Sequence, residues 1–405
     1  MNLLFLAHRI PFPPNKGDKI RSFHELEYLC ARHRVHLGCL VDQPEDRQYI
    51  PKLQEMAASV AVSTLDPHRA RGRSLLALAT GDPLSVRYFA TRPLRRWVEA
   101  LVARETLDAV FLFSSPMAAY VWDLDLPRVM DFCDVDSDKW RQYADNVGWP
   151  MRAVYTLESR RLRAYEEAIL RRFEAATLVT ARERELWKDL PPELLAKVHV
   201  VPNGVDLEYF TPRWGSVLPE PGTIVFTGAM DYHANVDAVT WFATEVLPRV
   251  QEEIPTATFC IVGSRPTPKV RALAERPGVI VTGTVDDVRP YYARAALCVV
   301  PLRIARGIQN KLLEAMAMGR PVLSSPAAAA GLGARVDEEV CVADDADAMV
   351  CEVVRLLRDS YAAETLGQAA RRFVEREYVW ERAMQSVELL LEASIESRRG
   401  APAAV

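Results

Sequence analysis

The stretch "LCVVPLRIARGIQNKLLEAMAMGRPVLSS", residues 297–325, indicates a strand, a loop, a helix, a tight turn and a second strand in immediate succession. Its first strand is apolar throughout rather than alternating, which is typical of a strand buried on both faces of a parallel sheet. Gly319 ends the helix, and Pro321 prevents it from restarting. This unit predicts an α/β fold with a parallel sheet.

The same alternation of apolar runs and helical stretches occupies both halves of the chain, and 405 residues suit two domains. The Pro- and Gly-rich stretch at 201–222 has the composition of a linker. We therefore predict two Rossmann-like doubly wound domains, 1–210 and 211–378, facing each other across a cleft. An amphipathic helix at 379–397 is expected to cross back and pack on the first domain. The strand candidates are "NLLFLA", "VHLGCLV", "LDAVFLF", "PRVMDF" and "ATLVTA" in the first half, and "TIVFTG", "TFCIVG", "VIVTG", "LCVVP" and "PVLSS" in the second.

Composition excludes several classes of function. The net charge of −4 argues against general nucleic-acid binding. The seven cysteines are scattered without a CxxC pair, and the seven histidines show no metal-ligand spacing, so we expect reduced thiols, no metal and no cofactor. No apolar run reaches the roughly 18 residues that a membrane span needs, and the N-terminus lacks the features of a signal peptide. The expected location is cytoplasmic.

The helix in the opening stretch carries two charged residues one turn apart, Lys311 and Glu314, although its other residues are mainly apolar. Gly307 allows the backbone to approach a ligand closely, and the free N–H groups near Ile308 and Gln309 favour an anion such as a diphosphate. Lys311 adds a positive charge, and Glu314, which only accepts hydrogen bonds, suits the vicinal hydroxyls of a ribose. The alternative is an i,i+3 ion pair on a solvated helix face.

The same segment resembles the nucleotide-sugar signature of retaining glycosyltransferases of the GT-B fold, family 4. That signature has two glutamates eight residues apart: Glu314 matches the second, which binds the ribose, and Arg306 occupies the first position, which contacts the transferred sugar. The branch that it most resembles is that of the exosortase (PEP-CTERM) associated sugar transferases of exopolysaccharide clusters. Other segments that carry this resemblance are "HRIPFPPNKGDKIRS", "DFCDVDSDKW", "VPNGVD", "FTGAMDYHANVDAVTWFATEVLP" and "VTGTVDDVRPYYARAALCVVPLR".

On the donor side, the resemblance implies a row of strand ends that line the nucleotide. Gly228 lets the backbone approach the site, and Gly263 and Val285 resemble positions that touch the base. Arg303 and Lys311 are the candidates for neutralising the diphosphate, because the loop after residue 228 supplies no Arg or Lys.

In the first domain, the glycine loop at Gly17 corresponds to one that approaches the phosphates and the acceptor in the family. Lys19 and Arg21 add positive charge there, or belong to a charged surface loop. Where many members have a histidine near the transferred sugar, this chain has Asp131 and Asp134 as the candidates. The alternative for this acidic segment is N-capping of the helix that follows.

Three basic segments lie in the first half: 152–172 with six arginines and three glutamates, "RARGR" at 69–73 and "RPLRR" at 92–96. They could attract the first domain to an anionic membrane surface. A solvated helix face is the alternative for each. A lipid-linked acceptor would be met at such a surface, so peripheral contact with the inner face of the membrane stays open.

Together these features predict a metal-independent, retaining hexosyl-type glycosyltransferase. Its expected partners are a nucleotide-sugar donor and a polysaccharide or lipid-linked acceptor, and its expected role is in exopolysaccharide biosynthesis. Arg306, Asp131 and Asp134 are the predicted catalytic residues. Two alternatives remain: a nucleotide-sugar 2-epimerase, and a non-catalytic protein that binds nucleotide-sugars.

Overall fold

A computed structural model describes residues 1–14, 17–145, 147–305 and 307–400. The chain divides into two compact units. The first unit comprises Met1–Pro202 together with the segment from Glu381 onward, and the second comprises Asn203–Trp380. Each unit has its own hydrophobic core.

The first unit is built on a seven-stranded sheet in the order β3-β2-β1-β4-β5-β6-β7, whose strand pairs are all parallel. The central strands are apolar on both faces, as predicted, because helices cover the sheet on both sides; Leu4, Phe5 and Leu6 are fully buried. The strands are β1 Asn2–Ala7, β2 Arg34–Val41, β3 Ser59–Thr64, β4 Ala109–Phe113, β5 Arg128–Cys133, β6 Ala175–Leu178 and β7 Val198–Val200. The helices are α1 Gly17–Arg32, α2 Ile50–Met56, α3 Pro67–Leu75, α4 Ala77–Thr80, α5 Leu84–Phe89, α6 Arg92–Arg104, α7 Asp136–Asp145, α8 Met151–Arg172, α9 Ala181–Glu185 and α10 Pro192–Leu195.

The second unit repeats this arrangement with a six-stranded parallel sheet in the order β10-β9-β8-β11-β12-β13. Its strands are β8 Thr223–Thr227, β9 Thr258–Val262, β10 Val279–Gly283, β11 Leu297–Val300, β12 Val322–Ser324 and β13 Cys341–Val342. Its helices are α11 His233–Trp241, α12 Leu247–Glu253, α13 Pro268–Ala272, α14 Arg289–Arg294, α15 Asn310–Ala317, α16 Pro326–Ala329, α17 Ala346–Arg358 and α18 Ser360–Glu377. A short π-helical turn at Phe242–Val246 joins α11 to α12.

Counted within its own unit, the second sheet has the strand order 3-2-1-4-5-6 of the Rossmann fold, and the first sheet has the same order with a seventh strand added after the sixth. The direction in which successive strands are added to the sheet reverses between β1 and β4 in the first sheet and between β8 and β11 in the second. Ligands of such sheets bind beyond the carboxyl ends of the strands at this reversal. The predicted α/β fold with two doubly wound parallel sheets is confirmed.

The last helix, α19 Trp380–Gly400, belongs to the first unit from Glu381 onward. Polar contacts attach both of its ends: Arg32 binds Glu381 across 2.5 Å, and Arg398 binds Glu174 across 2.9 Å. Between them, the Tyr28 hydroxyl donates to Glu388 at 2.7 Å.

The division between the units falls eight residues before the predicted boundary at residue 210. The reason is a pairing that the composition of the linker does not show. Val205 forms a parallel bridge with Val379, and its N–H donates to the carbonyl of Tyr378 across 2.9 Å. The first part of the predicted linker is therefore fixed to the second unit.

Candidate functional site

The carboxyl edge of the second sheet gathers most of the residues that the sequence predicts for the donor. Strand β8 ends at Thr227 and β11 ends at Val300, on the two sides of the reversal in strand order. The loop after β11 leads directly into α15, so this helix begins at the same edge. Continuous apolar strands followed by glycine-containing loops are the sequence features that produce this placement.

Two glycines at this edge are required by the packing of the backbone itself. Gly228 and Gly263 have φ angles of +155° and +156°. A Cβ atom on Gly263 would lie 1.6 Å from the carbonyl oxygen of Gly228, and a Cβ on Gly228 would lie 2.7 Å from Nδ2 of Asn235. The ends of β8 and β9 can therefore approach each other this closely only because both positions are glycine.

Lys311 lies half-buried on the first turn of α15 and points toward strand β8. Its ammonium donates to Oδ1 of Asn235 across 2.6 Å and lies 4.6 Å from the centre of the Phe226 ring. The amide of Asn235 in turn donates to the carbonyl of Ala229 at 2.9 Å, which fixes the orientation of the amide. Burial lowers the pKa of Lys311 to about 7, against a weaker opposing effect of Glu314.

Glu314 lies one turn further along α15 and is held by a chain of hydroxyls. The Tyr292 hydroxyl lies 2.8 Å from Oε2 of the carboxylate, to which it donates, and 2.6 Å from the hydroxyl of Thr227. Burial raises the pKa of Glu314, while the bond from Tyr292 and the charge of Lys311 lower it. Lys311 and Glu314 are thus bonded to side chains of other elements and do not lie on a solvated helix face.

Sequence reasoning does not find the partners of these two residues. It does not single out Tyr292, although this residue lies only five positions before β11, and it assigns no role to Asn235. No local pattern marks either contact, because each one joins residues that are 22 or 76 positions apart.

The other predicted donor residues lie in surroundings that differ from those of Lys311 and Glu314. Arg303 is 55% exposed and binds Asp237 of α11 at 2.5 and 2.9 Å, so a carboxylate already neutralises its charge. Gly307 has a φ of +57°, a conformation that favours glycine. Gln309 is the extended residue immediately before α15. Ile308 and Val285 are partly buried against the core of the second unit.

Two of the predicted catalytic residues, Asp131 and Asp134, lie in the first unit. Arg306 lies outside the described residues. Asp131 is fully buried at the end of β5, where one oxygen accepts from Nε of Arg21 across 2.5 Å and the other accepts from the N–H of Cys133 across 2.8 Å. Burial opposes ionisation of Asp131, but Arg21 and these hydrogen bonds hold its pKa below the usual value. At this location Asp131 is the counterion of Arg21.

A second carboxylate, Glu25, completes this buried group. Glu25 and Arg21 are both fully buried on α1, and Nε of Arg21 lies 3.2 Å from Oε1 of Glu25. Burial and the neighbouring charge of Asp131 raise the pKa of Glu25 well above its usual value. Arg21 also donates to the carbonyl of Val201 at the end of the first unit. Arg21 therefore stabilises the interior and does not supply free positive charge to a ligand.

Other candidates of the first unit are more exposed or differently engaged. Asp134 is half-buried in the loop between β5 and α7, and Gly17 is exposed as the first residue of α1. Lys19 is buried and binds Asp46 across 2.6 Å. The expectation that Lys19 supplies charge to a phosphate is therefore wrong, since an internal carboxylate holds it.

Within the described residues, no group of three or more His, Cys, Asp or Glu side chains is arranged to hold a metal ion. None of the helices in the same part of the chain is both long and apolar enough to cross a membrane.

Part of the second unit is similar to a known protein family. Residues 221–359 match the family model described as "Glycosyl transferases group 1". This segment contains the strand ends and helix that hold Lys311 and Glu314. Among curated proteins, none matches the sequence.

Several solved structures have the same fold over nearly the whole chain. Sucrose-phosphate synthase from Thermosynechococcus elongatus is 18% identical, with a TM-score of 0.71 over 98% of this chain and 100% of that chain. HepE of Anabaena in complex with UDP is 14% identical, with a TM-score of 0.67 over 97% and 100%. A mutant of S. aureus TarM, in complex with fondaparinux, alpha-GlcNAc-glycerol and UDP, is 11% identical, with a TM-score of 0.69 over 96% and 100%. At these identities the likeness shows the fold, which is the predicted GT-B fold.

Proposed function

We propose that this chain is a glycosyltransferase that moves a sugar from a nucleotide-diphosphate donor, held by the second unit, to an acceptor hydroxyl. One observation carries the proposal. The half-buried pair Lys311 and Glu314 lies at the reversal point of a Rossmann-type sheet, inside the segment that matches the group 1 glycosyl transferases. An ammonium next to an acceptor-only carboxylate suits a diphosphate next to a ribose.

The chemistry assigned to each residue follows from its charge and partners. The diphosphate of the donor meets the positive end of α15 and the ammonium of Lys311, and this charge stabilises the leaving group without requiring a metal. Glu314 accepts hydrogen bonds from the ribose hydroxyls while Tyr292 keeps the carboxylate in place. Arg303 and the residues at 306, 131 and 134 stay predictions for sugar or phosphate contacts.

Retention of the anomeric configuration, a polysaccharide or lipid-linked acceptor and a role in exopolysaccharide synthesis are parts of the proposal that rest on the family resemblance. HepE of Anabaena and S. aureus TarM have structures with UDP, and HepE also has one with UDP-glucose. UDP-glucose is therefore the first donor to test.

Peripheral contact with an anionic membrane is also proposed, through the first unit. Trp149, just before α8, is 87% exposed. Arg152 and Arg160 lie on α8 close to it, and no carboxylate of the described residues lies within 4 Å of either arginine. An exposed tryptophan beside unneutralised arginines is typical of a surface that rests on lipid headgroups.

The test is incubation of the protein with a panel of radiolabelled nucleotide-sugars, with analysis of both the sugar and the nucleotide. Release of nucleoside diphosphate together with a glycosylated product supports transfer, and NMR of the anomeric proton then determines retention. Isomerised nucleotide-sugar would instead identify an epimerase. Binding without turnover of any donor and acceptor would identify a non-catalytic binding protein.

A further inference from the structure

A cavity of about 650 Å³ in the first unit brings together two basic motifs that are separated in the sequence. Residues of "RARGR" (69–73) line one side and residues of "RPLRR" (92–96) line another, at the carboxyl end of strand β3. Helix α3 carries the first motif and α6 carries the second. The cavity has the volume of a typical small-ligand site.

The charge around this cavity is strongly one-sided. The lining includes five arginines and one acidic residue, Asp66. Asp66 lies 3.5 Å from Arg69, and Asp82 binds Arg87 across 2.6 Å, so these two arginines have counterions. For the other three arginines, no carboxylate in the part of the chain that the structure describes lies within 4 Å. These three are Arg73, Arg92 and Arg95.

Neutral backbone groups hold two of these three arginines in place. Arg73 donates to the carbonyls of Arg87 and Tyr88 at 3.3 and 3.1 Å. Arg95 donates to the carbonyl of Ala119 at 3.0 Å. Carbonyl groups orient a guanidinium without cancelling its charge. The structure therefore concentrates positive charge without a carboxylate partner around an open volume, which favours the binding of an anion.

The rest of the lining is largely apolar and includes the buried side chains of Leu65 and Ala70. A guanidinium forms paired hydrogen bonds with phosphate or carboxylate oxygens. Three uncompensated guanidinium groups match the charge of a phosphate or diphosphate better than that of a single carboxylate.

We propose that this cavity binds a phosphate or diphosphate group, and that this group belongs to the acceptor. The second statement rests on the proposed function, because it assumes that the first unit receives the acceptor. The first statement does not. The phosphate can be carried by a lipid headgroup or by a soluble phosphorylated glycan.

The experiment measures binding of inorganic pyrophosphate by calorimetry to four forms of the full chain. These are the natural protein, the triple variant Arg73→Gln/Arg92→Gln/Arg95→Gln, the donor-site variant Lys311→Gln, and the matched control Arg152→Gln/Arg160→Gln. We expect the triple variant to lose about tenfold or more in affinity, because it removes the three guanidinium charges that face the phosphate. The Arg152/Arg160 control should bind pyrophosphate as tightly as the natural protein does. Lys311→Gln should also keep pyrophosphate binding in the cavity of the first unit.

The single variant Arg92→Gln tests the cavity without disturbing the fold, because Arg92 is exposed and no carboxylate among the described residues binds it. It should weaken pyrophosphate binding while leaving thermal unfolding unchanged. The proposal is overturned if the natural protein does not bind pyrophosphate. It is also overturned if only Lys311→Gln weakens binding, or if the Arg152/Arg160 control weakens binding as much as the triple variant.

A second arm distinguishes the two sources of the phosphate. Vesicles of phosphatidylcholine, with or without phosphatidic acid, are sedimented with each variant. Loss of phosphatidic-acid-dependent binding in the triple variant, with binding kept in Lys311→Gln, assigns the cavity to a lipid headgroup. The Arg152/Arg160 variant is not a control in this arm, because it removes the separate membrane surface proposed above. Pyrophosphate binding without any vesicle effect of the triple variant assigns it to a soluble phosphate. Either result leaves nucleotide binding to the second unit as a separate measurement, so the failure of one proposal does not imply the failure of the other.

Discussion

The ammonium of Lys311 lies 2.6 Å from Oδ1 of Asn235, to which it donates, and this contact fixes the end of a half-buried lysine at the carboxyl edge of the second sheet. Burial lowers the pKa of this lysine to about 7 from 10.5. Near neutral pH the site is therefore poised between a neutral amine and a charged ammonium. An incoming diphosphate would favour the charged form.

Binding of UDP is accordingly expected to take up a proton above pH 7. At pH 8 the free protein holds Lys311 mostly neutral, and the bound diphosphate raises its pKa, so uptake approaches about one proton per site. The affinity should fall as the pH rises through 7 and should level off below it. Calorimetry at pH 8 in two buffers with different ionisation enthalpies measures this uptake. The variant Lys311→Gln should bind without it, and unchanged uptake in that variant would contradict the assignment.

The carboxylate of Glu314 should recognise the ribose. We expect Glu314→Gln to weaken UDP binding by about 10- to 100-fold, because a hydrogen bond to a charged group is worth about 1.5–3 kcal/mol. The natural protein should also bind 2′-deoxy-UDP more weakly than UDP, and the variant should show a smaller difference. Tyr292→Phe keeps the carboxylate and removes only its support, so its effect should be smaller. Equal UDP affinity in Glu314→Gln and the natural protein would exclude the ribose role.

The sequence predicts the carboxyl edge of the second sheet well because local signals specify it. Continuous apolar strands locate the sheet, and a glycine-containing loop followed by a helix places Lys311 and Glu314 at its carboxyl edge. Their partners Asn235 and Tyr292 lie on other elements, and sequence periodicity does not reveal side-chain contacts between elements.

The same limitation explains the errors in the first unit. The sequence predicts that Lys19 and Arg21 add positive charge near the phosphates or belong to a charged surface loop, but both are buried on α1 beside acids from distant segments. One local signal is present in the sequence. Glu25 lies four residues before the buried Leu29, on the side of the helix that faces the core. A charged residue at such a position predicts an internal partner.

The close approach of β8 and β9 leads to a prediction about the free energy of unfolding. Gly263→Ala would place its Cβ 1.6 Å from the carbonyl oxygen of Gly228, at a φ of +156° that alanine avoids. We expect a loss of about 3 kcal/mol or more in the free energy of unfolding, or failure to fold, because the backbone cannot move as a side chain can. Gly17→Ala is the matched control. Apart from its own residue, its chain neighbours and the backbone of its helix, no heavy atom of the described residues lies within 4 Å of its Cβ position, so the change should stay within about 0.5 kcal/mol. Urea unfolding measures both, and similar stability of the two variants would show that the strand ends tolerate the added methyl group.

The buried group of Arg21, Glu25 and Asp131 leads to a prediction about the energetic coupling between the two carboxyls. The prediction distinguishes a structural role of Asp131 from a catalytic one. Because Asp131 is ionised beside Arg21 and raises the pKa of Glu25, Glu25 is the carboxyl that carries the proton at neutral pH. Glu25→Gln alone should therefore cost little, about 1 kcal/mol or less. Asp131→Asn should cost more, about 1–3 kcal/mol, since Glu25 can ionise in its place and become the counterion of Arg21.

The double variant removes both possible counterions and leaves a buried guanidinium without a charge partner among these three residues. Its loss should exceed the sum of the two single losses and reach about 3–5 kcal/mol in urea unfolding. Asp134→Asn is the comparison from the same loop. Because Asp134 lies outside this group, Asp134→Asn should leave the coupling between Glu25 and Asp131 unchanged. If Asp131 served only to contact a sugar, Asp131→Asn would abolish transfer while the unfolding curve stayed where it was. Additive losses in the double variant would mean that the two carboxyls do not share the task of balancing Arg21.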